Sequence, residues 1–125
     1  WIEDLPRKEK IMDGRLKVAH GDPSGGFEYV RPRTFGEDLL GDEEVLVLGH
    51  THVQAKKETA SGTIVNPGSV GQPRDGDPDA AYAVLEVPSN EVSLNRVEYD
   101  IEEVEEAARE TRVSGRVASR LRKGR

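Results

Sequence analysis

The segment Val45-Leu46-Val47-Leu48-Gly49-His50-Thr51-His52 constrains the fold more than any other part of the chain. Four consecutive apolar residues, with acids before them and a glycine after, are the pattern of a short strand buried on both faces. Such a strand suits solvent on neither side and needs a covering layer above and below. It also delivers two histidines at its carboxyl end, beside a glycine that lets other backbone approach closely.

The flanking residues supply that strand with neighbours. Glu9–Asp13 and Arg15–His20 flank Gly14 and predict a hairpin whose second strand ends at His20-Gly21-Asp22-Pro23. Ser24–Arg33 reads as a loop, followed by a short helix around Thr34–Leu40 with Thr34 as its cap. Val53–Thr59 and Thr63–Val65 predict strands joined at Ala60-Ser61-Gly62, and Asn66–Gly71 is a shaped loop rich in turn formers. Ala80–Val87 and Val92–Tyr99 form the clearest hairpin, turning at Pro88-Ser89-Asn90. Asp100 then caps a helix with Glu103 three residues on, placing Ile101, Val104 and Ala108 on one face. Ser114-Gly115 interrupts that helix, and Val117 and Leu121 continue an apolar stripe beyond it.

Composition limits the chemistry. With no cysteine among the 125 residues there is no disulfide framework, thiolate zinc knot or cysteine nucleophile, and the expected setting is cytoplasmic. Catalytic or binding groups must come from histidine, carboxylates and hydroxyls. Only 34% of residues are hydrophobic, a lean supply for a self-sufficient core, and no run reaches the roughly 18 apolar residues of a membrane span. The formal net charge of −6 is asymmetric: residues 1–108 carry 11 Lys+Arg against 23 Asp+Glu, residues 109–125 carry 7 against 1. An acidic body repels nucleic-acid backbone and membrane surface, so neither is expected as a partner, and the basic tail over 109–125 reads as a solvated helix end.

The three histidines, His20, His50 and His52, each lie at a predicted strand end, His20 and His50 directly beside a glycine. His50 and His52 point to opposite faces of an extended segment, but in a turn they converge on neighbouring positions. Neutral imidazole is the commonest protein metal ligand, so this distribution favours metal binding over core packing.

In order and spacing, His20-Gly21-Asp22-Pro23, then Val45 to His52, then Asn66-Pro67-Gly68-Ser69-Val70-Gly71-Gln72-Pro73-Arg74 resemble the second half of the calcineurin-like metallophosphoesterases. The small bacterial and archaeal phosphodiesterase branch is the most similar. The likeness runs from about Leu5 to about Leu121. It implies a four-layer α/β/β/α sandwich, of which this chain supplies a mixed β-sheet and the C-terminal helix. It also implies metal-dependent hydrolysis of phosphate esters at two divalent ions, Mn²⁺ favoured, with Zn²⁺, Fe or Ni²⁺ also suited to such ligands. Carried over by position, His20 and His50 ligate one ion and His52 the other. The family's Asp-x-His, bridging Asp, Asn ligand and assisting His would all lie upstream of Trp1, so the expected partner is a missing amino-terminal half of the same domain, and the chain by itself is expected to be inactive.

Such an ion pair lowers the pKa of a bound water, clamps phosphoryl oxygens and neutralises charge in an in-line displacement. Asn66 and Ser69 can offer hydrogen bonds to a substrate, although a tight turn explains the same residues. Arg74 can meet a phosphate with a forked donor or can pair with Asp75 and Asp77. The run Asp75-Gly76-Asp77-Pro78-Asp79 lacks the later bidentate glutamate of a Ca²⁺ loop. Two other outcomes are a zinc-binding structural or regulatory module closed by the three histidines and a carboxylate, and a catalytically inactive fragment. Substrate, diester or monoester preference and homo-oligomerisation are not legible.

Overall fold

The computed structural model describes residues 1–111 and 120–125. Its strands are β1 (Lys8–Ile11), β2 (Leu16–Ala19), β3 (Val45–Leu48), β4 (Ala55–Glu58), β5 (Thr63–Asn66), β6 (Ala80–Leu85) and β7 (Val92–Val97), followed by helix α1 (Ile101–Glu110). The first five form one mixed sheet in the order β1-β2-β3-β5-β4, and β6 and β7 form a separate antiparallel pair. Strands β2, β3 and β5 run parallel at the centre, while β1 and β4 close the edges in antiparallel register. The edge strands carry the charges, Lys8-Glu9-Lys10 on one and Lys56-Lys57-Glu58 on the other, which suits positions with unpaired backbone facing water.

Strand β3 finds both of its covering layers within this chain. Its even-numbered residues Leu46 and Leu48 pack with Ala19, Ile64 and Phe35. Val45, on the opposite face, packs with Leu16, Val65 and Val92, where Ala83 and Leu85 of the β6–β7 hairpin complete the cover. Val45 and Leu48 are each 1% exposed and Leu46 is fully buried. The segment most in need of a partner layer is thus satisfied locally. The hairpin turns its other side outward, leaving Tyr82, Val84 and Val97 substantially exposed.

Two expectations change. The helix over Thr34–Leu40 is instead two 3-10 turns, Pro32–Thr34 and Glu37–Leu39. Gly36 between them is extended (φ −155°, ψ 166°), and Thr34 caps nothing, since its hydroxyl donates back to the Arg31 carbonyl at 2.8 Å. A proline before and a glycine in the middle leave too short a helix-forming stretch. Helix α1 forms where expected, with the Asp100 carboxylate accepting from the Glu102 and Glu103 N–H groups. Its buried side, however, holds Glu105 and not Val104, because Glu105 receives both arms of the Arg122 guanidinium at 3.0 Å. Arg112, Ser114-Gly115, Arg116 and Val117 lie outside the described residues. Among the described residues no helix is long and apolar enough to cross a membrane.

Candidate functional site

The parallel centre of the sheet ends its three strands at one edge: β2 at Ala19, β3 at Leu48 and β5 at Asn66. The carboxyl edge of a parallel sheet is where open α/β folds bind ligands, because the loops leaving it converge. Ala19 and Leu48 are register partners, so His20 and Gly49 leave the sheet side by side. The Gly49 N–H donates to the His20 carbonyl at 3.1 Å, and a Cβ on Gly49 would sit 3.1 Å from that same carbonyl oxygen, tighter than ordinary contact. Glycine therefore suits the close approach of the two backbones here.

Two of the histidines meet directly. His20 Nε2 and His50 Nδ1 are 3.2 Å apart. The contact is a ring-to-ring hydrogen bond, and its length also lies within the about 3.0–3.4 Å that separates two nitrogens each about 2.1 Å from one ion. His52 stands apart from them. Its Nδ1–H donates to the Gln72 carbonyl at 2.8 Å, which leaves the lone pair of the neutral ring on Nε2, the arrangement typical of a ligating histidine held by an outer partner. Among the described residues no three His, Asp or Glu side chains gather into one cluster. His20 and His50 are therefore a pair of neighbouring nitrogen donors, and His52 a separate one.

Backbone geometry sets this division. His50 and His52 both occupy the left-handed region, at φ 63° and 58°. That conformation costs a non-glycine residue about 1 kcal/mol or more and persists only where surrounding contacts enforce it. Asn66 is one enforcer. It is fully buried, and its amide donates to the Gly49 carbonyl at 2.8 Å and the Thr51 hydroxyl at 3.0 Å while accepting from the Gly68 N–H at 3.0 Å. Tyr29 is another: its ring stacks on His50 with centroids 4.1 Å apart and planes 20° from parallel. Burial, then the neighbouring charges of His20, His52 and Arg74, hold the His50 imidazole below its usual pKa, which favours the neutral, ligating form.

The other predicted site residues separate. Asn66, fully buried, commits both amide N–H donors and one acceptor position within the fold, so it braces the histidine loop. Ser69 Oγ accepts from the Gln72 N–H, fixing the turn that meets His52. Arg74 is exposed, with its backbone N–H on the His52 carbonyl at 2.9 Å and its guanidinium on Gln72 Oε1 at 3.0 Å. Asp75 and Asp77 do not pair with it. Both face Arg96, Asp75 in a direct hydrogen bond and Asp77 at 3.9 Å, so their run is an internal ion-pair knot and not a Ca²⁺ loop. Sequence reasoning missed Phe27 and Tyr29, which lie in a stretch read only as loop. The signal was two aromatics, two residues apart in the segment after His20, in a chain only 5% aromatic.

Comparison with known proteins accords with this geometry. Residues 1–90 match the calcineurin-like phosphoesterase superfamily domain. A probable metallophosphoesterase of Methanocaldococcus jannaschii is 38% identical over 76 residues, covering 57% of this chain and 38% of that protein. An uncharacterised protein of the same organism is 26% identical over 144 aligned positions, covering 100% of this chain and 59% of its own length. The crystal structure of a metallophosphoesterase from Sphaerobacter thermophilus superposes with a TM-score of 0.84 at 31% identity, over 98% of this chain and 61% of that one. A hypothetical protein of Pyrococcus horikoshii shares the fold at a TM-score of 0.80 and 22% identity, over 99% of this chain and 53% of that one. The chain spans about 60% of the length of the first relatives it matches. The family hydrolyses phosphate esters with divalent metal ions. On the family match and the strand-end histidines together, this chain belongs to the calcineurin-like phosphoesterase superfamily.

Proposed function

We propose that this chain contributes part of a two-metal centre that hydrolyses phosphate esters, with His20 and His50 holding one divalent ion and His52 the other. Mn²⁺ is the favoured ion, and the three histidines are only part of its ligand set. The observation that carries the reading is the 3.2 Å approach of His20 Nε2 to His50 Nδ1 at the carboxyl edge of the sheet. When bound, such ions supply Lewis-acid polarisation of the phosphoryl oxygens and a water acidified toward neutral pH.

The protein's own share is positional. Stacking on Tyr29 and burial keep His50 oriented and neutral, and the Gln72 carbonyl selects the tautomer of His52. Asn66 and Thr51 hold the loop between them in its left-handed conformation. Arg74, beside His52, is available to a phosphoryl oxygen that carries negative charge.

The test is hydrolysis of bis(p-nitrophenyl) phosphate with added Mn²⁺ by the full-length protein carrying this chain. His50→Ala and His52→Ala should each lower turnover by more than the about 10–100-fold that loss of an outer partner costs. Both positions lie in a loop, so melting temperatures in chelator should change little. Full activity in either variant refutes the reading. The 125-residue chain alone should show no metal-dependent turnover above background.

A further inference from the structure

The last described residues, 120–125, do not trail into solvent. Leu121 is 5% exposed, and Arg122 is tied to Glu105 and Glu102 of α1. The Gly124 carbonyl accepts from the Gly76 N–H at 3.0 Å. Gly124 sits at φ 56° so close to Asp77 that a Cβ there would lie 2.6 Å from Asp77 backbone atoms, which requires glycine at this contact. The Gly124 contacts thus seat the basic turn on the loop that follows Arg74, and Arg122 ties the same turn to α1.

The result is a groove of about 530 Å³ lined by Arg74, Arg120, Lys123 and Arg125. That volume falls within the range of small-molecule sites. Among the described residues none of the four lies within ion-pairing distance of an Asp or Glu, while Arg122 in their midst is fully engaged. The nearest acids, Asp75 and Asp77, face Arg96. Arg120, Lys123 and Arg125 come from the basic tail, and the fold brings them beside Arg74 of the acid-rich body. At physiological salt the Debye length is about 8 Å, so the charges lining one groove act together on a ligand held inside it.

We propose that this groove is an anion subsite that takes a second phosphate group of the substrate, making the preferred substrates esters that carry a further phosphate beyond the one cleaved. The inference rests on the phosphoesterase reading and extends it. Arg74 links the two regions, since its N–H binds the His52 carbonyl while its guanidinium lines the groove. Arginine suits the task because its planar fork matches phosphate oxygens. The acidic remainder of the surface repels a long polyanion such as nucleic acid, whereas a small multiply charged ester can enter the groove alone.

The probe is inorganic tripolyphosphate, titrated calorimetrically into the full-length protein in chelator at fixed ionic strength, so that no metal contributes. Arg120→Gln/Lys123→Gln should weaken binding about tenfold, the order expected for two solvent-facing charged contacts. Arg125→Gln, which leaves Leu121, Arg122 and Gly124 untouched, should weaken it severalfold. Lys8→Gln/Arg33→Gln, an equal charge change outside the groove, should alter it less than twofold. No binding by the wild type, or equal weakening in the control, overturns the proposal. In a second arm tripolyphosphate competes with bis(p-nitrophenyl) phosphate in Mn²⁺, and its inhibition constant should rise in the groove variants. An inhibition constant that does not move in those variants also overturns the proposal. Absence of any hydrolysis, with groove-dependent binding intact, removes the phosphoesterase reading and leaves the anion site standing.

Discussion

Replacing Asn66 separates the histidine loop from the sheet without touching a histidine. The side chain is fully buried and makes three hydrogen bonds, to the Gly49 carbonyl, the Thr51 hydroxyl and the Gly68 N–H, at 2.8 to 3.0 Å. At about 1 kcal/mol net for each bond, with an added penalty for partners left buried and unpaired, Asn66→Ala should cost about 2–4 kcal/mol. Urea unfolding of the full-length protein reads that number. Because these bonds hold His50 and His52 at positive φ, divalent metal affinity measured by chelator competition should also fall about 10–100-fold. Asn66→Asp offers a sharper form. Its carboxylate can still accept from Gly68 but cannot donate to Gly49, and burial raises its pKa. A folded-state pKa raised above the unfolded value makes the variant least stable at high pH and relieves it as pH falls. A loss below about 0.5 kcal/mol for Asn66→Ala, with unchanged metal affinity, would refute the bracing role.

Other expectations follow from single contacts. Burial raises the Asp75 pKa, but the Arg96 guanidinium and the Gln54 N–H outweigh it and the carboxyl titrates below its usual range. Its stabilising effect is therefore complete above the ordinary carboxylate range and is lost as pH falls through the depressed value, so Asp75→Asn should flatten the acid limb of a melting-temperature profile. Leu46→Ala, at a fully buried site, should cost about 2–5 kcal/mol in urea unfolding. Val84→Ala, on the outward face of the hairpin and 43% exposed, should cost less than half as much. Mn²⁺ at about 100 times its dissociation constant should stabilise the full-length protein by about 2.7 kcal/mol, and His20→Ala/His50→Ala should remove most of that shift in a thermal melt.

Much of the fold was legible because its signals are local. The apolar run of β3, the glycine at the first hairpin, the turn formers at 59–62 and 88–90 and the Asp100 cap each fix a conformation within a few residues. What was not legible depends on contacts distant in sequence. Val104 has the periodicity of a buried position, yet Arg122, seventeen residues past Glu105, decides which face of α1 docks. Arg74 stands next to two acids that Arg96 claims from across the hairpin. The site divides in the same way. Strand ends and glycines announce the three histidines, whereas the Asn66 brace, the Tyr29 stack and the cationic groove appear only once β5, the loop after His20 and the C-terminal turn come together.

Anomalous diffraction from Mn²⁺-soaked crystals of the full-length protein tests the central claim most directly. One peak coordinated by His20 Nε2 and His50 Nδ1 and a second coordinated by His52 Nε2 are expected. Peaks that avoid these nitrogens, or a single ion closed by all three histidines with no open position, would contradict it.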